Sequence, residues 1–343
     1  MSNFLKDSLK NAPPYIPGEQ LTGVIKLNTN ESPYSPSPKA IAAIEKETNK
    51  LMRYPQVDAN DTRKALARRL NIKPENVFVG NGSDEVLRLC FQAYLEFGSK
   101  VAWSTPTYSL YEILAGFAGA KIIDVRRRDD FTVDIEALAK AGADLTIIAS
   151  PNSPTGTLTP LNEIDELASK VKLLLVDEAY ADFAGITASK LIDKRKNLIV
   201  ARSLSKSYSL AGLRVGFAVA DNSIIDDFML LKDSYNVSRI ANAAAEAALD
   251  DTAYFETIRT RILSTRRRLE EGLSKRGWKV FESGANFVFA VPPARDGGAV
   301  YKRLLEKKIL VRWFGNDPRT AVGVRITVGT DEEISRLLEV IGE

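Results

Sequence analysis

The 343-residue chain contains no histidine and one cysteine, Cys90. Without histidine, the serine–histidine and cysteine–histidine pairs of nucleophilic enzymes cannot be assembled, and the usual zinc sites cannot be built. A single cysteine excludes an internal disulfide and fits a reducing compartment, so a cytoplasmic location is expected. No apolar run approaches the ~18 residues needed to span a bilayer, so no membrane association is expected. The opening MSNFLKDSLKNAPP lacks the apolar core of a secretory signal. An excess of one charge is missing too. The net charge is +3, both signs are interspersed, and the one basic cluster, Arg126-Arg127-Arg128, is followed at once by two aspartates. Nucleic acid is therefore not an expected partner. An enzyme of this composition must move protons with Lys, Asp, Glu or Tyr, or with a cofactor.

What the chain does have is ample core: 45% of its residues are hydrophobic and 27% charged, ordinary for a globular protein. There is no internal repeat and no low-complexity tract. Residues 1–37, with NAPPYIPGEQ, are rich in proline and turn formers and read as an N-terminal arm. From residue 38 short apolar runs (NVFVG, KVAWS, KIIDV, DLTIIAS, KLLLVDE, NLIVARS, RVGFAVA) are separated by amphipathic helical segments. That alternation predicts an α/β fold, with a mostly parallel sheet between helices over 38–245. Shorter strands (NFVFAV, ILVRWF, VGVRITVG) beside helices predict a smaller C-terminal α+β domain over 246–343.

In open parallel sheets ligands gather outside the carboxyl ends of the strands, and the polar clusters of this sequence fall at such ends. GNGSDE (80–85) follows a strand and opens a helix, whose free N–H groups suit a phosphate. It is not a P-loop, because no GK[ST] follows. SPNSPTG (150–156) fixes an unusual turn carrying Asn152. LLLVDEAY places Asp177 and Glu178 after four apolar residues, where a carboxylate needs a cation or donor. Tyr180 lies three residues beyond Asp177. SLSKSYSLAGLRVGF (203–217) holds Lys206 among hydroxyl residues, with Arg214 eight positions on. A buried lysine beside cations loses its proton and becomes a nucleophile. Taken singly, each cluster has a plain alternative: a glycine turn, a Pro/Gly loop, a partnered structural acid, a solvated loop charge. Together they meet the needs of pyridoxal 5′-phosphate, whose aldehyde takes a lysine, whose phosphate needs donors and whose ring nitrogen needs an acid.

On PYIPGEQ, KLNTNESPY, RYPQ, GNGSDE, PTYSLY, SPNSPTG, VDEAY, SLSKSYSLAGLRVGF, ANFVFA and VRITVGT, nearly the whole chain resembles the fold-type I, class I/II aminotransferases. Within them it is most similar to the histidinol-phosphate aminotransferase family. One departure is SPNSPTG, where that family often has NNPTG; Asn152 is kept. The resemblance implies that Lys206 binds the cofactor as a Schiff base and then moves the proton between the substrate's α-carbon and the cofactor's C4′. It implies that Asp177 pairs with the pyridinium nitrogen, that Asn152 and Tyr180 hydrogen-bond the phenolic oxygen, and that Tyr108 stacks on the ring. Backbone N–H groups at Ser83 and Asp84, with Ser203, Ser205 and Arg214, would hold the phosphate. A homodimer with shared active sites is implied, Tyr54 reaching the neighbouring subunit's cofactor phosphate. Arg325 would grip the substrate anion, with Tyr15, Asn30 and Arg312 nearby. The implied reaction exchanges an amino group between L-histidinol phosphate and 2-oxoglutarate, giving imidazole acetol phosphate and L-glutamate in histidine biosynthesis. An aromatic amino-acid aminotransferase and a threonine-phosphate decarboxylase-like enzyme are the alternatives on the same scaffold.

Overall fold

A computed structural model gives the fold and describes residues 2, 4, 5, 9 and 17–342. A short strand, β1 (Ile25–Leu27), leads into α1 (Pro38–Thr48) and α2 (Asn60–Leu70). Strand β2 (Val77–Asn81), α3 (Ser83–Tyr94), β3 (Lys100–Trp103), α4 (Leu110–Ala118), β4 (Lys121–Asp124) and α5 (Ile135–Lys140) follow. Next come β5 (Leu145–Ala149), α6 (Leu161–Lys170), β6 (Leu174–Asp177), α7 (Ala181–Ala184), β7 (Leu198–Ser203) and β8 (Val215–Ala220). Helices α8 (Asn222–Leu231), α9 (Arg239–Asp250) and α10 (Thr252–Ser274) precede β9 (Lys279–Val280) and β10 (Phe287–Val291). The chain ends with α11 (Gly297–Glu306), β11 (Ile309–Trp313), α12 (Pro318–Ala321), β12 (Val324–Thr327) and α13 (Asp331–Gly342).

Seven strands form the larger sheet in the order β2-β8-β7-β6-β5-β3-β4. Its middle is parallel, as the alternating pattern predicts, but β8 runs against both β7 and β2. The reason is local. The link from β7 to β8 contains only a 3-10 turn, Ala211–Leu213, and no crossover helix, so the chain returns antiparallel.

Both faces of this sheet are covered, which is why its strands read as unbroken apolar runs. Val77, Val79, Leu174, Val176, Val200 and Phe217 face a core built with α2, α5, α6 and α9. Phe78, Leu175, Ile199 and Ala218 face the opposite core, built with α3, α4 and α8. Successive residues of one strand fall into different cores, the period of two that a strand imposes.

The smaller sheet has the order β1-β11-β12-β10-β9. Residues 25–27, inside the segment expected as an arm, form its edge strand, parallel to β11. Leu27, Val288, Val311 and Ile326 pack there against α10 and α13 through Leu269, Leu273, Ile334 and Leu337. Leaving β1, residues 28–30 are pinned between the two sheets. The Asn30 N–H donates to Thr327 Oγ1 at 3.0 Å, and Asn286 Nδ2 donates to the Asn30 carbonyl at 3.1 Å. Asn30 has φ of +56°, a left-handed conformation that asparagine accepts more readily than most residues. No helix among the described residues is long and apolar enough to cross a membrane.

Candidate active site

Register aligns Ala149, Asp177 and Ala201 across β5, β6 and β7. The polar continuations of these parallel strands therefore leave the sheet together, and Ser150–Asn152, Glu178 and Ser205–Lys206 share one edge. The sequence left two carboxylates open as partners for a ligand; the structure separates them. Glu178 turns away, accepting from Thr187 Oγ1 at 2.6 Å and the Ala188 N–H at 2.5 Å beside Arg202. Burial pushes its carboxyl up to about 7.

Asp177 is also buried, but no described cation pairs with it. Its oxygens accept from the Tyr111 hydroxyl at 2.7 Å and the Ala179 N–H at 3.1 Å. Burial raises its pKa against the pull of those two donors. A buried carboxylate with no countercharge is poised for a cationic N–H donor.

Tyr111 was not singled out by the sequence, although a signal existed. It stands three residues after Tyr108 across the start of α4, a spacing that places both rings on one side. Their centroids lie 5.7 Å apart, edge to face. The Tyr108 hydroxyl then reaches Asp84 Oδ1 at 3.4 Å, and Asp84 Oδ2 accepts from Arg214 Nη2 at 2.8 Å. These contacts join the GNGSDE turn, the PTYSLY helix and the lysine loop into one wall.

The opening of α3 supplies anion donors. In any first helical turn the backbone N–H groups have no intrahelical acceptor, and here those are at Ser83 and Asp84. Space is kept for them by glycine. A Cβ on Gly216 would lie 2.1 Å from the Ser83 nitrogen, and one on Gly82, at φ of +81°, 2.5 Å from Arg214 Nη2. Ser203 Oγ accepts from the Ser205 N–H at 3.1 Å. The Ser205 hydroxyl itself is buried without a hydrogen-bond partner. The helix N-terminus with the Arg214 guanidinium against Gly82 suits a phosphate, and the orphaned Ser205 hydroxyl is a further donor left for a ligand. With the uncompensated Asp177 at the opposite end, the donor set suits a phosphate-bearing pyridine.

Lys206 Nζ donates to the Thr29 carbonyl at 3.1 Å, so the segment leaving β1 meets the lysine. Burial first, then the charge of Arg325, push its amine from an ordinary 10.5 down to about 8. At neutral pH this raises the uncharged, nucleophilic fraction by roughly 10²-fold or more. The cofactor-free protein should therefore take up pyridoxal phosphate faster as pH rises, with a midpoint near 8. Stopped-flow absorbance checks this, and a midpoint near 10 contradicts the burial argument.

Tyr180 is partly buried and accepts from Asn30 Nδ2 at 2.9 Å. Burial raises its phenol pKa, opposed by Arg325 and Asn30, and keeps it protonated. Asn152 is more committed than expected. Its Nδ2 donates to the Pro106 carbonyl at 3.1 Å and Thr155 Oγ1 at 2.8 Å, and its Oδ1 accepts from Thr107 at 2.8 Å.

Arg325 on β12 is buried, donating from Nη1 to Ser153 Oγ at 2.8 Å and from Nη2 to the Asn28 carbonyl at 2.5 Å. Arg312 on β11 is its cross-strand partner. Directly opposed residues of an antiparallel pair share a face, where two like charges repel. Both guanidinium carbons lie over the Phe314 ring, at 5.3 Å for Arg325 and 5.4 Å for Arg312. No described carboxylate forms an ion pair with Arg312, and the pair can receive an anion.

Two expected residues are not among this group. Tyr54 is 76% exposed and stacks on Tyr235 at 4.4 Å. Tyr15 lies outside the described residues. A cavity of about 400 Å³ opens next to the lysine loop, sharing Ser205 and Thr327 with the site and lined also by Lys26, Glu31 and Gly212. Neither Lys206 nor Asp177 lines it, so the donors, not this cavity, mark the reactive centre.

The family model described as aminotransferase class I and II matches residues 22–341. The chain belongs to this family. It is 41% identical to histidinol-phosphate aminotransferase 1 of Nostoc sp., over 99% of this chain and 98% of that protein. It is 42% identical to the histidinol-phosphate aminotransferase of a Marinomonas species, with 98% of each covered. Its fold matches the crystal structure of the Sinorhizobium meliloti histidinol-phosphate aminotransferase in complex with pyridoxal-5′-phosphate. The TM-score is 0.87 at 28% identity, covering 93% of this chain and 91% of that one.

Proposed function

We propose that this aminotransferase transfers an amino group between L-histidinol phosphate and 2-oxoglutarate, using pyridoxal phosphate, as a step of histidine biosynthesis. The observation that carries this reading is the facing pair Arg325–Arg312 near a buried, partly deprotonated Lys206. Full-length similarity to histidinol-phosphate aminotransferases supports the same substrate. The two substrates share no side chain, but each carries anionic groups. A bidentate guanidinium accepts a phosphate or a carboxylate with little rearrangement.

Pyridoxal phosphate, when bound, supplies an electron-withdrawing ring that stabilises the carbanion formed at the substrate's α-carbon. The chain does the rest. Ser83, Asp84, Ser203, Ser205 and Arg214 would hold the cofactor's phosphate, and Tyr108 would cover its ring. Asp177 would keep a proton on the ring nitrogen, and Tyr180 would serve the phenolic oxygen, as would Asn152 if the cofactor displaced one of its present partners, Pro106 or Thr155. Lys206 Nζ carries the proton to and from the α-carbon, while Arg325 and Arg312, with Asn30 behind them, orient the substrate's anion. A positioned amine of this kind replaces the histidine base that the sequence lacks.

Comparison of kcat/KM for histidinol phosphate, phenylalanine and tyrosine, with 2-oxoglutarate as acceptor, tests the substrate. A charge-assisted hydrogen bond is worth about 1.5–3 kcal/mol, so histidinol phosphate should win by about 10- to 100-fold. Equal or better turnover of phenylalanine moves the assignment to the aromatic amino acids.

The same reading includes a homodimer whose sites are shared. Tyr54 supports it by its exposure: its ring stacks on that of Tyr235, itself exposed, and Met52 and Val57, its neighbours in sequence, are exposed as well. Exposed aromatic and apolar side chains brought together in this way are a common mark of an interface. Mixing Tyr54→Phe and Lys206→Ala subunits should therefore restore activity above either parent, because each mixed dimer regains one intact site. Activity that stays at the average of the parents argues against sharing.

A further inference from the structure

We propose that Ser207, anchored on Asp182, is a positioning residue that fixes the backbone of Lys206 and so aims its amine. The inference rests on the amine role given to Lys206 above and adds to it two residues that act only through that lysine.

The lysine loop SLSKSYS carries a serine at every second position, 203, 205, 207 and 209. A cofactor phosphate accounts for the first two. The other two turn elsewhere. Ser207 is buried, and its Oγ donates to Asp182 Oδ2 at 2.5 Å, while Ser209 Oγ donates to Ser32 Oγ at 2.8 Å. Lys206 is thus bracketed. On its amino side the Leu204 N–H donates to the Val215 carbonyl at 3.0 Å and the Ser205 N–H to Ser203 Oγ at 3.1 Å. On its carboxyl side the next residue is tied to Asp182. Between the end of β7 at Ser203 and the 3-10 turn at Ala211 the chain has no helix or strand to stiffen it, so these side-chain bonds set its course.

Asp182, on α7, is the fixed end of the bond. Its other oxygen accepts from Arg202 Nη2 at 2.5 Å. Arg202 is itself buried, with Glu178 Oε2 3.9 Å from its Nε and its guanidinium carbon 5.6 Å from the centre of the Phe217 ring. The Asp182 backbone carbonyl accepts from Arg259 Nε of α10 at 2.5 Å, and Phe183 packs with Ile258 and Ile262 of the same helix. Arg202 and Arg259 therefore hold Asp182 without help from Ser207, and the bond between them restrains the loop rather than the acid. A supporting shell of this kind keeps a reactive group within the tolerance that catalysis needs. The Lys206 amine stands at the end of a long side chain, so a small turn of its backbone moves the nitrogen far, and a displacement of about 1 Å can cost 10²-fold in rate.

The experiment uses the protein loaded with pyridoxal phosphate and L-glutamate as the amino donor. The first-order rate constant for bleaching of the cofactor's visible band is measured in a single turnover. It belongs to each loaded site and does not fall when some molecules unfold, so a merely structural role leaves it unchanged. Ser207→Ala should lower it by about 10- to 100-fold, with the half-saturating glutamate concentration changed far less. Ser207→Thr, which keeps the hydroxyl, should recover most of the loss. Asp182→Ala should cost at least as much, and adding Ser207→Ala to it should change little more, because the two residues act on one path. A second readout needs no cofactor. In the cofactor-free protein the Ser205 and Leu210 amides should exchange their hydrogens faster in Ser207→Ala, while those of β6 keep their protection. A wild-type rate constant in Ser207→Ala, no recovery by threonine, losses that add in the double variant, or unchanged exchange at Ser205 and Leu210 overturns the positioning role. The two serine variants decide the matter even if Asp182→Ala does not fold. A wild-type protein with no visible cofactor band, or full turnover in Lys206→Ala, overturns instead the reading of the lysine itself, and this inference with it.

Discussion

Lys206→Ala should lose at least about 10⁴-fold in turnover of histidinol phosphate with 2-oxoglutarate, because proton transfer by a positioned group is itself worth ~10²–10⁴ and covalent anchoring is lost as well. The fold should not suffer. Lys206 makes one hydrogen bond, to the Thr29 carbonyl, and its buried ammonium is disfavoured enough to titrate near 8. Removing it costs the resting protein little and takes away a desolvated charge. The cofactor should still bind, now reversibly, through Ser83, Asp84, Ser203, Ser205 and Arg214, and dialysis should remove it from the variant but not from the parent. Steady-state rates and absorbance after dialysis check both halves. Normal multiple turnover in the variant would remove Lys206 from the reaction.

Much of this site was legible because it is built from strand ends. Once apolar runs such as LLLV and LIVA are recognised as parallel strands, DEAY and SLSK must emerge on the same side. No contact has to be known for that inference. Less was legible where the residues come from different layers. That Asp177 and not Glu178 faces the site depends on which face of β6 each occupies, and the boundary at the strand's end hides that parity. Tyr111 was within reach of a helical-spacing argument, but its partner lies 66 residues away in sequence. The role of residues 25–30 was least accessible. Three strand residues, Ile25–Leu27, give too short a pattern to distinguish from an arm, yet their pairing with β11 brings Asn28 to Arg325, Thr29 to Lys206 and Asn30 to Tyr180. The reversal of β8 follows from the missing crossover helix, a clue that was present in SLSKSYSLAGLR but outweighed by the regular alternation before it.

Asp177→Asn should separate function from stability in opposite directions. Breaking a buried charge pair costs about 3–5 kcal/mol, so kcat should fall by roughly 10³-fold once the ring nitrogen loses its carboxylate, with KM changed far less. In the cofactor-free protein the same carboxylate is a liability. It is buried, no described cation pairs with it, and its pKa is raised. An acid whose folded pKa lies above its unfolded value binds protons more tightly when folded, so its ionisation erodes stability as pH rises through that titration. Asparagine removes the charge, and its Oδ1 can still accept from the Tyr111 hydroxyl. The cofactor-free variant should thus melt above wild type at neutral pH, and the gap should close in acid where Asp177 is protonated. Tyr111→Phe distinguishes this from a packing effect. It keeps the charge and deletes the donor, leaving the carboxylate short of a hydrogen bond worth about 1–3 kcal/mol when lost, and should lower both the melting temperature and kcat. Thermal melts of the three cofactor-free proteins from acid to neutral pH, alongside kcat of the loaded enzymes, read out the difference. If Asp177→Asn melts lower than wild type at neutral pH, or turns over like it, the carboxylate is a structural acid and the ring nitrogen must find its proton elsewhere.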